Sequence, residues 1–252
     1  MSRRRKASRP NPCRALVTGG SGGIGQAICQ MLAAQGMEVI VHAARNLERA
    51  EQTVATIAES GGRASTIQFD LADAGATAKA MAELIDPDPL AVVIHNAGIH
   101  DDAPMAGMHA EQWQRVMEIS LNGFYRVVQP ALLGMARQRW GRVIAISSVA
   151  ARLGNRGQTN YAAAKAGMHG AIISLAREMA NRGVTANTIA PGLIDTAMVE
   201  AIDEEKTLQL VPAGRMGTPA EVAALVAFLC SEPAGYINAQ MIGVDGGMAP
   251  GA

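Results

Sequence analysis

The sequence predicts a single α/β domain, built on one parallel sheet that carries helices on both faces. Its length of 252 residues suits one such domain, since α/β folds reach about 200 to 250 residues without dividing. Short apolar runs alternate with helical patterns along the chain, which indicates successive β-α-β units. A glycine-rich turn joins the first apolar run to a helix, which is typical of doubly wound sheets.

The apolar runs and helical patterns give the order of the elements. We predict about seven strands, over residues 16–18, 39–42, 64–69, 91–96, 143–147, 185–189 and 240–244. Helices are predicted after the glycine-rich turn and over residues 47–60, 74–84, 111–137, 161–181 and 219–231. The last helix has a strong start signal, with Thr218 as the cap, Pro219 at the first helical position and Glu221 reaching back. No linker or repeat divides residues 14–252, so we predict one domain there, preceded by a basic tail at residues 1–13.

The charge distribution argues against a domain that binds nucleic acid or a membrane. The chain has 22 basic and 22 acidic residues, which leaves no excess of positive charge to attract a polyanion. No apolar run approaches the ~18 residues of a membrane span. The tail at residues 1–13 carries only basic charges, at Arg3, Arg4, Arg5, Lys6 and Arg9. We predict a disordered, solvated arm there, with contact to an acidic partner as the alternative.

The cysteines and histidines give no sign of a disulfide or a metal site. Cys13, Cys29 and Cys230 are scattered and odd in number, which favours small buried thiols in a reducing, cytoplasmic compartment. The three histidines between residues 95 and 109 lack the spacing of metal ligands on a helix. We therefore expect a cytoplasmic protein without a metal.

The glycine-rich turn lies in residues 15–25, which read Ala-Leu-Val-Thr-Gly-Gly-Ser-Gly-Gly-Ile-Gly. From Ile24 to Leu32, apolar residues recur at helical spacing. Glycines let the backbone turn tightly and approach a pyrophosphate, whose charge is favoured at a helix N-terminus. A glycine-rich turn without a ligand is the alternative. The strand before it and the helix after it favour nucleotide binding.

A second motif places Tyr161 and Lys165 four residues apart in an Ala-rich segment, thirteen residues after Ser148. Residues four apart share one face of a helix, so the phenol and the ammonium are expected side by side. The positive charge is expected to lower the pKa of the phenol, so that Tyr161 can exchange a proton with an alcohol or carbonyl oxygen. For this pair alone, a solvent-facing Lys beside a half-buried Tyr is the alternative. Strand alternation points Ser148 and its neighbour Ser147 to opposite faces of the sheet.

With these motifs together, the chain resembles the short-chain dehydrogenase/reductase family over residues 14–248, which implies a Rossmann-type fold and a nicotinamide cofactor. The resemblance adds Asp70-Leu71 as the adenine contact and Asn96-Ala97-Gly98 as the turn after the fourth strand. It implies cofactor contacts at Thr18, Gly19, Ser21, Gly23, Ile24, Gly25, Asp70, Leu71, Asn96, Ala97, Gly98, Tyr161, Lys165, Pro191, Gly192, Ile194 and Thr196.

The same resemblance implies a catalytic tetrad of Asn122, Ser148, Tyr161 and Lys165. In the implied mechanism, hydride passes from the nicotinamide to a carbonyl carbon while Tyr161 gives its proton to the oxygen. Ser148 polarises the carbonyl group, and Lys165 holds the nicotinamide ribose. Asn122 anchors a water that relays protons to the lysine. A satisfied core asparagine is the alternative for Asn122.

The end of the second predicted strand favours NADP(H) as the cofactor. An acidic residue there would hold the ribose hydroxyls of NAD, whereas an arginine accommodates the 2′-phosphate of NADP. The chain has no acid between Glu38 and Glu48, and it has Arg45. One feature departs from many NADP-using members of the family, because Gly22 stands where they carry a basic residue.

Three segments, 154–167, 190–196 and 215–217, are similar to 3-oxoacyl-acyl-carrier-protein reductases, in particular those of the aryl-polyene pigment type. This implies NADPH-dependent reduction of a 3-oxoacyl thioester on an acyl carrier protein to the 3-hydroxyacyl thioester, in fatty-acid or polyene-type biosynthesis. A reductase of a free small ketone, alcohol or sugar is the alternative, and a non-catalytic nucleotide sensor or scaffold is a lesser one. Residues 196–216 are expected to determine the substrate.

The resemblance also implies partners. Arg139 and Arg182 match positions where carrier-protein reductases present a basic residue to the carrier's acidic helix, and we expect both beside the mouth of the site. Two solvated arginines at helix ends are the alternative. A homotetramer or homodimer is expected, through the long helices at residues 111–137 and 161–181 and the C-terminal strand.

Overall fold

The computed structural model describes residues 8–86, 88–196 and 209–249. Most of the predicted tail and most of the predicted substrate loop, at residues 197–208, lie outside the described residues. Residues 8–13 pack against the domain, which differs from the predicted disorder of the whole tail. Arg9 donates its backbone N–H to Glu232 and its guanidinium to the carbonyl of Gln35, and Cys13 is buried.

Seven parallel strands form one sheet in the order β3-β2-β1-β4-β5-β6-β7, which confirms the predicted fold class. The strands are β1 Arg14–Thr18, β2 Glu38–Ala43, β3 Arg63–Gln68, β4 Val92–His95, β5 Gly141–Ile146, β6 Val184–Pro191 and β7 Met241–Val244. The strand order reverses between β1 and β4, where Thr18 pairs with His95. In open parallel sheets, a crevice opens at such a reversal, beyond the carboxyl ends of the strands.

Helices cover both faces of the sheet. They are α1 Gly23–Ala34, α2 Leu47–Glu59, α3 Ala74–Ile85, α4 Ala110–Met117, α5 Gly123–Gln138, α6 Ala150–Leu153, α7 Thr159–Met179 and α8 Pro219–Leu229. One apolar layer packs α1, α2 and α8 against the sheet, and a second packs α3, α5 and α7 against the other face. Within β1, Ala15 and Val17 belong to the first layer and Leu16 to the second, as expected for a strand buried on both faces.

The long helix predicted over residues 111–137 is interrupted. A single π-helical turn, Glu118–Asn122, separates α4 from α5. Such turns insert an extra residue into a helix and occur often at functional sites. The prediction of one continuous helix over residues 111–137 therefore missed this change in helical register.

Candidate active site

A cavity of about 600 Å³ opens at the carboxyl ends of the central strands, within the usual size range of ligand sites. It brings together most of the predicted site residues, although they come from distant parts of the chain. The predicted residues that line it are Gly19, Ser21, Gly23, Ile24, Gly25, Arg45, Asp70, Leu71, Asn96, Ala97, Gly98, Ser148, Tyr161, Lys165, Pro191, Gly192, Ile194 and Thr196. Thr18 and Asn122 are not among the lining residues.

The glycine-rich loop between β1 and α1 has a shape that only glycine allows at one position. A Cβ on Gly25 would lie 2.1 Å from the carbonyl oxygen of Gly19 and 2.8 Å from Nδ2 of Asn96. The backbone of the loop therefore stays bare at the N-terminus of α1, where a pyrophosphate is stabilised by free N–H groups and the helix dipole. These features fit a dinucleotide.

His42, which the motifs did not single out, holds this loop from β2. Its Nδ1 accepts the N–H of Gly19 at 3.1 Å, and its backbone carbonyl accepts the N–H of Gly20 at 2.9 Å. Because Nδ1 is an acceptor, Nε2 carries the proton and donates to the carbonyl of Phe69 at 2.9 Å. His42 thus connects the loop to the residue just before Asp70. Burial lowers the pKa of His42 to about 4, so the ring is neutral.

Thr18 holds the backbone at the base of the site in place through hydrogen bonds. Its Oγ1 accepts the backbone N–H groups of Asn96 and Ala97, each at 3.0 Å. The Asn96 amide returns hydrogen bonds to the carbonyls of Thr18 and Gly19. This network fixes the turn after β4 against the glycine-rich loop.

Ser148 and Tyr161 meet at the cavity wall. Ser148 follows β5, and Tyr161 lies in the first turn of α7. A hydrogen bond joins their side chains, so an oxygen atom of a substrate placed between them meets two hydroxyl groups. Ser147 points elsewhere and donates to the backbone carbonyl of Lys165 at 3.0 Å, in line with strand alternation.

The pKa of Tyr161 differs from the expectation. Burial raises this pKa above its ordinary value, the hydrogen bond from Ser148 opposes that rise in part, and the negative charge of Asp102 adds to it. The predicted lowering by Lys165 is therefore wrong; the Lys165 Nζ lies 5.6 Å from the centre of the phenol ring. A raised pKa keeps the phenol protonated at neutral pH, which is the form that donates a proton.

Lys165 is buried, with 3% of its surface exposed. Its ammonium donates to the carbonyl of Ile146 at 2.8 Å and lies against Gly98, where a Cβ would come within 2.9 Å of Nζ. Burial lowers the pKa of Lys165 to about 8. Lys165 can therefore change its protonation state close to neutral pH.

Asn122 does not reach the site. Its side chain is exposed and donates to Oε1 of Glu118 at 2.7 Å, one turn earlier. The neighbour two positions before it, Ser120, is fully buried instead. Residues two apart on a helix point to nearly opposite sides, so only one of them can face Lys165. The predicted placement of Asn122 in the tetrad is wrong in this respect.

The far end of the cavity carries two arginines. The predicted Arg45 follows β2, and Arg49 lies in the first turn of α2; both line the cavity and both are exposed. Asn46 caps this helix by accepting the N–H of Arg49 at 3.1 Å. The sequence motifs did not identify Arg49, because an arginine in the first turn of a helix belongs to no recognisable motif.

A polar clamp fixes the start of α7 beside the loop after β4. The fully buried Asn160 donates to the carbonyl of Asp101 at 3.0 Å and accepts the backbone N–H of Tyr161 at 2.8 Å. Gln158 donates to Asp102 at 2.8 Å. These contacts position the phenol of Tyr161, and sequence reasoning gave no sign of them because they join segments about 60 residues apart.

Arg139 and Arg182 lie away from the cavity in the same chain. Arg139 stands two residues before β5, Arg182 two residues before β6, and Arg139 donates to the carbonyl of Asn181 at 3.0 Å. They therefore lie at the amino ends of strands whose carboxyl ends form the site. The expectation that Arg139 and Arg182 lie beside the mouth of the site is therefore wrong for the site of their own chain.

Across the described ranges, no group of three or more His, Cys, Asp or Glu side chains is arranged to hold a metal ion. Nor does any helix there have the length and apolar character needed to cross a membrane.

Comparisons with known proteins cover most of the chain. A short-chain dehydrogenase/reductase family model, described as enoyl-(acyl carrier protein) reductase, matches residues 19–249. The 3-oxoacyl-acyl-carrier-protein reductase FabG of Aggregatibacter actinomycetemcomitans is 42% identical over 236 residues, which cover 92% of this chain and 98% of that protein. The 3-oxoacyl-acyl-carrier-protein reductase of Synechocystis sp. is also 42% identical, over 93% of this chain and 96% of that protein. The corresponding reductase MabA of Mycobacterium tuberculosis is 43% identical over 94% of this chain and 92% of its own length. With its doubly wound sheet and its cavity at the switch point, this chain belongs to the short-chain dehydrogenase/reductase family.

Proposed function

We propose that this protein reduces the keto group of a 3-oxoacyl thioester, delivered on an acyl carrier protein, to the 3-hydroxyacyl thioester. The observation that carries the proposal is the meeting of Ser148, Tyr161 and the buried Lys165 in one cavity with the bare glycine loop. Relatives that share about 42% of the sequence are named for this reaction, which supports the substrate class.

When bound, a reduced nicotinamide supplies the hydride. Ser148 then donates a hydrogen bond to the carbonyl oxygen and stabilises the negative charge that develops there. Tyr161 gives its proton to that oxygen, which completes the alcohol and leaves a phenolate. Lys165 stabilises the phenolate by its charge and returns the proton. The polar clamp on Asn160 keeps the phenol in place during these steps.

The cofactor is NADPH in this proposal. Arg45, just before the cap of α2, and Arg49, in the first turn of α2, provide two positive charges at the cavity's outer end. A 2′-phosphate there gains charge-assisted hydrogen bonds that the 2′-hydroxyl of NADH lacks. Asp70 is the one acid among the described lining residues, and it accepts the backbone N–H of Ala72 at 2.9 Å.

In this proposal, docking of the carrier protein depends on the oligomer. Arg139 and Arg182 lie roughly 20 Å from the catalytic end of their own sheet, the length of a six-residue strand. If they dock a carrier, they serve the site of another subunit. Exposed apolar side chains on α5, Tyr125 and Leu133, and Tyr236 beside the last strand support a homo-oligomer. The three buried, unpaired cysteines support a reducing, cytoplasmic compartment.

A substrate panel tests the function. NADPH oxidation would be followed with a 3-oxoacyl thioester on acyl carrier protein, the same thioester on a small thiol, an enoyl thioester and a small free ketone. We expect the carrier-bound 3-oxoacyl thioester to give the highest kcat/KM. A higher value for the enoyl thioester or for the free ketone would contradict the proposal and assign reduction of a C=C bond or of a small ketone instead.

A further inference from the structure

Arg115 is a basic side chain of the cavity that the proposed reaction does not use. It lies on α4, lines the cavity, and has 51% of its side chain exposed. Among the described lining residues, the other cationic side chains are Arg45, Arg49 and Lys165, and Asp70 is the one acid. Arg45 and Arg49 stand at the outer end of the cavity, and Lys165 stands at the catalytic end. The positive charge of Arg115 therefore remains without a role.

The contacts of neighbouring residues place Arg115 between the two ends of the cavity. Ile119, four residues later, also lines the cavity. The π-turn that contains it leads into Gly123, where a Cβ would stand 3.3 Å from Leu71 at the adenine end. On its other side, Arg115 Nη1 lies 4.0 Å from Oδ2 of Asp101, whose carbonyl is held by the polar clamp at the start of α7. The middle of a dinucleotide, where its pyrophosphate lies, falls between these ends.

The helix that carries Arg115 is held firmly, whereas the guanidinium itself is held weakly. Gln112 accepts the backbone N–H of His109 at 2.9 Å and donates to Oδ1 of Asp101 at 2.7 Å. Its carbonyl accepts the Asn160 amide at 3.3 Å, so the start of α4 is fixed to the loop after β4 and to α7. Within the described ranges, the guanidinium has only the ion pair with Asp101. An exposed pair at 4.0 Å contributes little, so the guanidinium can exchange this partner for another anion.

The glycine-rich loop, on the other side of the crevice between β1 and β4, presents no charged side chain. Residues 18–25 read Thr-Gly-Gly-Ser-Gly-Gly-Ile-Gly, and the cap of α1 is Gly22. The loop therefore offers a pyrophosphate only N–H groups and the helix dipole. An arginine suits the opposite side of such an anion, because its planar guanidinium can donate two parallel hydrogen bonds to phosphate oxygens.

We propose that Arg115 is a cofactor-binding residue, which exchanges Asp101 for the pyrophosphate of the dinucleotide and holds that group from the α4 side. The inference rests on the nicotinamide cofactor of the proposed function, but not on the substrate. Because NADPH and NADH both contain the pyrophosphate, Arg115 strengthens the binding of both. In this respect it differs from Arg45 and Arg49, whose proposed contact with the 2′-phosphate concerns NADPH alone.

Cofactor binding to the purified protein tests the proposal without any turnover. By titration of nicotinamide fluorescence, Arg115→Ala should weaken NADPH and NADH binding about five- to twentyfold each, the lower part of the range for charge-assisted hydrogen bonds because the guanidinium is half exposed. Arg115→Lys keeps the charge without the fork of donors and should give intermediate values. The losses should shrink as salt rises from about 0.05 to 0.3 M. Arg137→Ala, an exposed arginine of α5 outside the cavity lining, is the matched control and should change neither constant.

Two fragments of the cofactor separate the pyrophosphate from the 2′-phosphate. In calorimetric titrations, Arg115→Ala should weaken the binding of ADP-ribose, which contains the pyrophosphate, and leave that of 2′-AMP, which lacks it, at the wild-type value. Arg45→Ala should show the reverse pattern. Thermal unfolding of Arg115→Ala before any cofactor is added should match wild type, because the change removes only an exposed ion pair. If that variant unfolds earlier, Arg115→Lys with ADP-ribose and 2′-AMP provides the same comparison.

Wild-type dissociation constants for both cofactors in Arg115→Ala would overturn the proposal, as would a loss for NADPH alone or equal losses for ADP-ribose and 2′-AMP. Unchanged cofactor binding, with a raised KM for a coenzyme A thioester but not for the same acyl group on a small thiol, would also overturn it and assign Arg115 to a phosphate of the substrate. A wild-type protein that turns over no thioester would instead refute the proposed function, and the binding titrations would still test Arg115.

Discussion

At the scale of single residues, burial decides the chemistry of this site more than neighbouring charge does. Tyr161 and Lys165 share a face of α7, as their spacing predicts, yet burial raises the pKa of the phenol and lowers that of the ammonium to about 8. Both shifts favour the neutral forms. At neutral pH Tyr161 is therefore protonated, which is the form that a proton donor needs.

Two buried histidines should make the fold sensitive to acid. Burial lowers the pKa of His42 to about 4 and that of His95 to about 3, from 6.5 in the unfolded chain. The unfolded chain binds these protons first, so the stabilisation is complete above pH 6.5 and is lost as pH falls toward 4 and 3. Each histidine should lower the free energy of unfolding by about 2 kcal/mol between pH 7 and pH 5. Urea unfolding at the two pH values measures this loss. In His95→Gln the loss should be about half as large as in the wild type. If the variant lost as much stability as the wild type, the loss could not be assigned to His95.

The two arginines at the outer end of the cavity should determine cofactor choice. Arg45→Ala and Arg49→Ala should each weaken NADPH binding several-fold or more and leave NADH binding nearly unchanged, because only NADPH carries the phosphate. Titration of nicotinamide fluorescence gives both dissociation constants. Arg63→Ala, at the amino end of β3, is the matched control and should change neither. Equal losses for both cofactors would show that these arginines do not bind the phosphate.

At the scale of secondary-structure elements, the sequence predicted the strands, the helices and the glycine-rich loop. The prediction of the helices failed at the π-turn between α4 and α5, where the helical register changes. Alternating apolar runs located all seven strands to within about two residues, because strands buried on both faces read as apolar runs. The π-turn was not predicted, and the family resemblance assigned Asn122 to the tetrad, whereas the buried side chain of this turn is Ser120. Arg49, the clamp on Asn160 and the contact of His42 with the glycine-rich loop were missed for a different reason. Their contacts join segments that no local pattern connects.

The glycine-rich loop provides a test at this scale. Gly25→Ala should destabilise the fold by about 1–3 kcal/mol or more, because its Cβ would strike the Gly19 carbonyl at 2.1 Å and the loop must shift. Gly22→Ala is the matched control, since its Cβ would meet nothing closer than 3.5 Å, and its stability should stay within about 0.5 kcal/mol of wild type. Thermal unfolding measures both. Similar stabilities for the two variants would contradict the described shape of the loop.

At the scale of the whole molecule, the parallel sheet places the cavity at one edge, and Arg139 and Arg182 at the opposite edge. All seven strands are parallel, and the cavity opens at the edge where their carboxyl ends lie. Residues that precede strands, Arg139 and Arg182 among them, therefore lie at the far edge. The sequence predicted Arg139 in the turn before one strand and Arg182 in the turn after the helix of Tyr161, and the family resemblance implied a position beside the mouth of the site. Only the parallel topology shows which edge they occupy.

Carrier docking by these arginines is testable through charge and salt. Arg139→Glu with Arg182→Glu should raise KM for the carrier-bound thioester and spare the same thioester on a small thiol, since a docking charge acts mainly on association. The difference should shrink as salt rises from about 0.05 to 0.3 M, because exposed charges are screened. Lys79→Glu, an exposed lysine on α3, is the control for net charge. Equal losses on both substrates, or the same loss in the control, would rule out docking at Arg139 and Arg182.

The most direct test of the central claim, that Tyr161 is the proton donor of a carbonyl reductase, is the turnover of Tyr161→Phe. The change removes one hydroxyl and little packing, so the fold and the NADPH dissociation constant should stay close to wild type. With a 3-oxoacyl thioester and saturating NADPH, we predict that kcat falls by about 10²–10⁴-fold, the usual contribution of a general acid. A variant that keeps more than half of the wild-type kcat would contradict the account.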